Sequence, residues 1–474
     1  MSRKTRVGIL TFSDQRRFIH EGLIALNQRY QDRVVRALEA TGEVEVVAGE
    51  EIVWRPDVAR REGRRLSAER VDVTILNYAI WAFPHLSAIA SEAAPGPFLL
   101  FSNLNASEPG MVAMLAAAGT MDQLGRRYSR VWGDIEEAAV LRRVMTFVRA
   151  AGAVSRLRGE TFGLFGGRPL GMYTAVANLD QWQSFFGVDV EHVEQYDLVR
   201  YGEQVAQEPV SAARAWLEKR VGRIAYDGKA LTPEKLELQI RSYYAARRII
   251  DERDLDFVGF KAQGDLTDYH VTMDVAEAFL NDPYDWDGPH EPIVAATEAD
   301  MDGALTMQIF KHMSAQPVLF SDVRHYERED DIWYLANSGM HPTFFAARSK
   351  DPEENLKSVT FFPEVWYYPA GGASVQHFAA AGEMTLARLF RKEGRYRLAL
   401  VPAELVEFPE SVAVAKAKTT TPEWPHAFAR LREAPEQFLS SYPCNHIHGV
   451  YGDWTNEWLA VAEILGIEVD LHGG

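Results

Sequence analysis

The chain has 474 residues, of which 47% are hydrophobic and 25% charged, with 50 Lys+Arg against 67 Asp+Glu and a formal charge of −17. At roughly 100–200 residues per domain this is a folded protein of two to four domains, with ample apolar material for buried cores and no disordered bias. Its acidic balance opposes phosphate backbones unless basic residues cluster strongly, so nucleic acid is not an expected partner.

From the N-terminus, the basic start Arg3-Lys4 leads into the apolar run Val7–Phe12, which stops at Ser13-Asp14-Gln15-Arg16 and is too short for a secretory leader. Val7–Phe12, Val44–Val47, Val71–Leu76 and Phe98–Phe101 read as strands separated by helices. The clearest of these helices carries Leu26, Tyr30, Val34 and Leu38 at four-residue steps and ends before Gly42. Such alternation is the grammar of a mainly parallel sheet covered by helices. A helix from about Ile135 to Leu157 closes this region, and a second α/β cycle opens with the strand Thr161–Phe165 and the turn Gly166–Gly171. A helix over Pro233–Arg253, strands at Phe257–Phe260 and Ile293–Ala296, and a helix from Asp302 to Met313 complete it. Beyond residue 314 the runs Pro317–Phe320, Asp331–Ala336, Ser358–Phe362, Glu364–Tyr368 and Tyr396–Pro402 are strand-like and joined by Gly, Pro and Asn, with one late helix near Glu457–Leu465. The expected architecture is two successive α/β, Rossmann-like domains, 1–157 and 158–313, followed by a mainly antiparallel, β-barrel-like domain, 314–474. The one cysteine, Cys444, suits a reducing compartment, and no stretch reaches the ~18–20 apolar residues of a membrane span. A soluble, cytoplasmic protein is expected.

Two carboxylates end consecutive strand-like runs: Ile293–Thr297 leads into Glu298, and Pro317–Ser321 leads into Asp322. Carboxyl ends of neighbouring strands converge on the ligand crevice of an α/β sheet, where two acids can share a divalent cation or transfer protons. The competing structural reading makes Glu298 a helix cap and pairs Asp322 with Arg324. Near the C-terminus, Asn445-His446-Ile447-His448 places two histidines on one side of an extended segment, and either suits a first-row divalent ion. Two carboxylates and one histidine fit Mn²⁺ or a similar ion with positions open to substrate oxygens. By contrast, the Gly166–Gly171 turn has neither dinucleotide nor Walker spacing, the aromatic run Asp180–Gly187 has the period of helix packing, and Arg60–Arg65 reads as a solvated helix face.

Ala296-Thr297-Glu298-Ala299-Asp300, Gly303-Ala304-Leu305-Thr306-Met307 and Phe320-Ser321-Asp322-Val323-Arg324, with the late Asn445-His446, resemble the metal-binding core of L-fucose isomerases, within the L-fucose and L-arabinose isomerase superfamily. Asp14-Gln15-Arg16-Arg17, Gly166-Gly167, Gln263 ahead of Thr267-Asp268, Trp286-Asp287-Gly288 and Asn337-Ser338-Gly339 extend the resemblance through most of the chain. It implies a Mn²⁺-dependent aldose–ketose isomerase, with Co²⁺ or Mg²⁺ as alternative ions. Glu298, Asp322 and His446 would be the metal ligands, and Glu298 and Asp322 also the catalytic carboxylates. Substrate contacts would be Arg16, Gln263, Ser338, Trp424 and Asn445, with Trp81 reaching a neighbouring subunit's site in a homohexamer. The run Ile80–Pro84 is accordingly expected as an exposed aromatic loop. Where L-fucose isomerases carry a tyrosine after a glycine run, this chain reads Gly371-Gly372-Ala373-Ser374, which leaves the native sugar open. An L-fucose or D-arabinose type of substrate leads. The alternatives are a modified anionic hexose such as sulfoquinovose, for which Arg16, Arg17 and His377 are available cations, and a non-catalytic sugar-binding protein.

Overall fold

A computed structural model describes residues 3–338, 340–364 and 366–473. Gly339 of the Asn337-Ser338-Gly339 run lies outside them, as does Val365 within the expected strand Glu364–Tyr368. The chain forms two compact units: one runs to Arg156 and takes back Asn456–Gly466, and the other is Leu157–Thr455 with the stretch from Ile467.

The first unit is built on a five-stranded, all-parallel sheet in the order Val44–Ala48, Thr5–Phe12, Val73–Tyr78, Phe98–Ser102, Ser129–Trp132. Both faces are covered, so alternate residues feed two cores: Leu10, Phe12, Leu76 and Leu100 on one side, Val7, Ile9, Ile75 and Leu99 on the other. That is why these strands read as continuous apolar runs. Val71 does not begin its strand; it follows the turn after the helix Pro56–Ala68, where Arg70 takes φ +52°. Ser129–Trp132 escapes a reading by hydrophobicity because it is an edge strand with alternate residues exposed. The helix Arg17–Glu39 buries Tyr30, Val34 and Leu38 as its spacing predicts. The late helix, Thr455–Leu465, belongs largely to this unit, where Glu457 accepts a hydrogen bond from Arg149 at 3.1 Å. Ile80 and Ala82 are buried and Trp81 is half-buried against its own unit's core, so the run Ile80–Pro84 is not the exposed aromatic loop expected, although Trp81 keeps part of its surface open.

The second unit carries a four-stranded parallel sheet in the order Ala295–Thr297, Phe257–Phe260, Thr161–Phe165, Asp189–Val193. The helix Pro233–Arg253 packs in its core and matches the predicted span; Thr232 caps it by accepting from the Lys235 amide, and proline stands in its first turn. Within the same unit a seven-stranded, mainly antiparallel sheet runs Gly382–Lys392, His446–Tyr451, Leu319–Glu327, Ile332–Ala336, Ala427–Leu431, Arg395–Leu405, Glu468–Leu471. The barrel expectation is corrected here. Arg395–Leu405 pairs along its full length with Gly382–Lys392, but its other edge is divided between a three-residue antiparallel contact with Ala427–Leu431 and a parallel contact with Glu468–Leu471. The junction of Arg395–Leu405 with Ala427–Leu431 therefore spans three residues only, and the sheet is not closed as a regular barrel. Among the described residues the expected strand Glu364–Tyr368 is not formed: pairing stops at Pro363, and Trp366 and Tyr367 are exposed. Trp182 of the aromatic run is fully buried in the helix Leu179–Phe185, in agreement with the packing reading.

Candidate active site

Glu298 leaves the end of the strand Ala295–Thr297 on a strained turn: Glu298 and Ala299 take φ +55° and +46°, conformations that cost about 1–3 kcal/mol each for residues other than glycine. The Ala299 amide bonds to the Phe260 carbonyl at 2.9 Å, and Gly259 makes room for the turn, since a Cβ there would lie 3.0 Å from Ala299 Cα. Asp300, not Glu298, then caps the helix Met301–Ser314 by accepting from the Gly303 amide.

Asp322 and His446 are 124 positions apart in sequence, yet they are directly opposite partners in adjacent antiparallel strands and so share a face. Asp322 Oδ1 accepts from Asn445 Nδ2 at 3.0 Å and Oδ2 from Asn337 Nδ2 at 3.1 Å. Burial raises its pKa, and the neighbouring Glu298 charge adds to the rise while His446 and Asn445 oppose it. The alternative pairing of Asp322 with Arg324 is not formed among the described residues.

His446 is fully buried. Its Nδ1 lies 2.6 Å from Asp300 Oδ2, while Nε2 points to Glu298 Oε2 at 2.8 Å and Asp322 Oδ1 at 3.6 Å. Burial alone would lower its pKa, but contact with Asp300 and Glu298 outweighs burial and holds it well above the ordinary value. With Nδ1–H donated to Asp300, the tautomer turns the Nε2 lone pair toward two carboxylates, an arrangement that calls for a proton or a cation between them. Nε2 makes no hydrogen bond of acceptable geometry, a buried orphan of the kind a metal satisfies. Among the described residues no group of three or more His, Cys, Asp or Glu side chains is placed to hold a metal ion, and Glu298 and His446 are in direct contact instead.

Behind His446, Arg388 grips both oxygens of Asp300, with Nη2 2.9 Å from Oδ1, and also donates to the Thr174 carbonyl and to His448 Nε2. Burial would raise the pKa of Asp300, but the guanidinium and His446 drive it far below the usual carboxylate range. His448, unlike His446, is held well below the ordinary imidazole value by burial, and the neighbouring Arg388 charge adds to the fall. The two histidines on one face of one strand therefore sit in opposite surroundings.

A cleft of about 470 Å³ is lined by Glu298, Asp322, Gln263, Ser338, Trp424 and Arg324, among others. Gln263 Nε2 approaches Glu298 Oε1 at 3.4 Å, and Ser338 bonds to Asn337, which in turn holds Asp322. The seven sequence-derived site residues of the second unit, Glu298, Asp322, His446, Gln263, Ser338, Trp424 and Asn445, thus gather in or beside one cleft. Arg16 and Trp81 belong to the first unit, where Arg16 pairs with Asp14 at 2.6 Å and Trp81 packs near Phe83, and neither lines this cleft. Asp300 as the partner of His446, Asn337 as the partner of Asp322, and Arg388 had no assigned role from sequence. Arg388 had one signal: it is a lone cation within Thr385–Phe390, an otherwise apolar strand segment.

A buried imidazole and two carboxylates thus meet at the edge of a polar cleft, donor types suited to proton transfer. Three family models match the chain: the L-fucose isomerase first N-terminal domain over residues 4–159, the second N-terminal domain over 252–315 and the C-terminal domain over 335–472. The L-fucose isomerases of Escherichia coli O9:H4 (strain HS) and of E. coli strain K12 / DH10B are each 24% identical over 484 residues, covering 86% of this chain and 81% of the relative. The chain belongs to the L-fucose isomerase family and is an enzyme of the aldose–ketose isomerase class.

Proposed function

We propose that the protein interconverts an aldose and its 2-ketose through an enediol, with Mn²⁺, or Co²⁺ or Mg²⁺ in its place, held by Glu298, Asp322 and His446. The observation that carries this reading is the buried, unsatisfied Nε2 of His446 facing both carboxylates. When bound, the cation supplies Lewis acidity, polarising the sugar carbonyl and stabilising the charge that develops on its oxygens. The remaining work falls to the chain. Asp300 fixes the His446 ring, and Asn337 and Asn445 fix the Asp322 carboxylate, so that little reorganisation is needed during proton transfer. Of Glu298 and Asp322, one takes the proton from C2 and returns it to C1, and the other assists transfer between O2 and O1. Burial strengthens Asp322 as a base by raising its pKa. Gln263 and Ser338, on the cleft wall, orient sugar hydroxyls.

An L-fucose or D-arabinose type of aldose is the leading substrate, L-fucose following the names of the relatives and D-arabinose the resemblance read in the sequence. A homohexameric, cytoplasmic enzyme is part of the same proposal, with Arg16 and Trp81 completing a neighbour's site. Metal content by mass spectrometry, followed by an aldose panel assayed with and without added Mn²⁺, tests it. Absence of ketose from every aldose in the metal-loaded protein would overturn the isomerase mechanism, and a monomer in light scattering would overturn the shared site.

A further inference from the structure

Resting on the isomerase reading, we infer that Glu364 is a positioning residue for the sugar site. It pins the indole of Trp424 to the cleft wall through the one N–H of that ring, so that Trp424 meets the sugar with its ring and not as a hydrogen-bond donor. Glu364 follows the last paired residue of the strand Thr360–Pro363, and its amide donates to the Gly372 carbonyl at 2.9 Å, one bond beyond the pairing with Ala373–Gln376. Its side chain is fully buried and does not itself line the cleft. Oε2 accepts from Trp424 Nε1 at 2.8 Å, and Trp424 does line the cleft. The same pair of strands also holds the residue before Trp424, since the Ser374 hydroxyl donates to the Glu423 carbonyl at 2.6 Å.

What remains to be fixed is the orientation of the indole. The Arg324 guanidinium lies 5.4 Å from its ring centre, and the Tyr367 ring is 6.1 Å away at 48°. Contacts of this kind tolerate rotation of the indole in its own plane, whereas the N–H···O bond selects one orientation. Indole has one donor and no acceptor, so with Nε1 spent on Glu364 hydroxyl recognition falls to other cleft residues, among them Gln263 and Ser338.

The charge state of Glu364 strengthens the bond. Asp274 is buried near it, with Oδ2 lacking a hydrogen-bond partner; burial raises the Asp274 pKa, and the Glu364 charge adds to the rise. Two neighbouring buried acids do not both ionise. An indole N–H donated to Glu364 favours the charge there, where the hydrogen bond is charge-assisted. Asp322 and His446 are held by other groups, Asn337, Asn445 and Asp300. Loss of Glu364 therefore weakens sugar binding and spares the proton-transfer step.

The test uses the full-length, Mn²⁺-loaded protein with L-fucose and D-arabinose. Ketose formation gives kcat and KM, and calorimetry gives Kd, in Glu364→Leu, Glu364→Gln, Trp424→Phe and the double variant Glu364→Leu/Trp424→Phe. In Glu364→Leu, KM and Kd are expected to rise about tenfold while kcat stays within about twofold of wild type. Glu364→Gln keeps an acceptor oxygen and recovers most of the loss. In the double variant the two losses do not add, because Trp424→Phe has already removed the N–H. Unchanged KM and Kd in Glu364→Leu, or additive losses in the double variant, overturn the assignment while leaving the isomerase reading intact. A non-additive loss of binding in a protein that converts neither sugar supports the positioning role and counts against the isomerase reading. A wild type that neither binds nor converts either sugar overturns both. Should Glu364→Leu fail to fold, the wild-type indole N–H of Trp424 decides, identified in the NMR spectrum by its loss in Trp424→Phe. Slow exchange with solvent supports the bond to Glu364, and exchange as fast as that of an exposed indole overturns it.

Discussion

The cleft wall and the layer buried behind it use the same residue types to opposite ends. On the wall, Glu298, Asp322 and His446 Nε2 face one another with hydrogen-bonding capacity unspent. Behind them, Asp300 accepts from Arg388, His446 and the Gly303 amide, so both of its oxygens are saturated. His446 bridges the two layers, with Nδ1 in the satisfied network and Nε2 in the open one. A fully satisfied buried network can hold geometry, whereas an incompletely satisfied one is held ready for something it lacks. The comparison teaches that chemistry and positioning are divided between the two nitrogens of one ring.

The largest effect should come from the wall. Glu298→Gln and Asp322→Asn are expected to lower turnover by ~10³-fold or more while circular dichroism and the thermal midpoint stay near wild type. Near-normal activity of either variant in saturating Mn²⁺ would falsify the assignment of the wall. The buried layer should fail differently. Arg388→Met strands the Asp300 charge in a fully buried site and is expected to cost about 3–5 kcal/mol in chemical denaturation, a loss of fold rather than of chemistry. If Arg388→Met is as stable as wild type, the layer is not the support described here.

Next in size is metal retention, which separates the two histidines. His446→Ala should lose Mn²⁺ on dialysis, and Asp300→Asn should weaken it by roughly 10–100-fold through a misoriented ring. His448→Ala should keep the ion, because its Nε2 is engaged by Arg388. Metal stoichiometry after dialysis decides; a stripped His448→Ala protein with metal-replete His446→Ala would reverse the roles.

How much of this was legible in the sequence follows from the kind of interaction involved. Strands buried on both faces, such as Val73–Tyr78, announce themselves as apolar runs, and the helix Pro233–Arg253 declares both its period and its Thr232-Pro233 start. Glu298 was visible because strand ends are where α/β sheets keep their ligands, whereas Asp322, expected at such an end, lies inside the antiparallel strand Leu319–Glu327 and reaches the cleft by pairing with His446. The resemblance, rather than spacing, distinguished His446 from His448; the structural contrast between them depends on Arg388, a residue from a different strand that no local pattern connects to either. Asp300 stood in the motif, but its role requires the pairing of strands far apart in sequence. The barrel-like expectation failed for a similar reason: strands were readable, but the divided edge of Arg395–Leu405 is a long-range fact. Trp366 and Tyr367 misled because exposed aromatics and strand aromatics look alike one residue at a time.

The smallest effect sharpens the comparison with a third setting, burial with neither a carboxylate nor a guanidinium in contact. His377 is buried beside His341, ring centres 6.0 Å apart, and Nδ1 faces the Val375 carbonyl at 3.1 Å. Burial pushes its pKa down to about 4, the backbone carbonyl opposes the shift and His426 adds to it. A group whose folded pKa is depressed is neutral in the folded protein while its unfolded counterpart takes up a proton. Its contribution is therefore fully present above the ordinary value near 6.5 and lost as pH falls toward 4. Compared with the non-titrating His377→Gln, wild-type stability should hold a constant offset from pH 7 to 8 and then decline relative to the variant between pH 6.5 and 4, by up to roughly 3 kcal/mol. The difference between the two proteins is the quantity to follow, because buried Asp282 and Glu277, with pKa values raised to about 7 and about 8, shift stability in the opposite sense in both. Urea denaturation of the pair across this range measures it directly. A difference that stays flat down to pH 4 would mean that His377 is hydrated or paired in solution, and that burial alone does not distinguish this third environment from the two around His446.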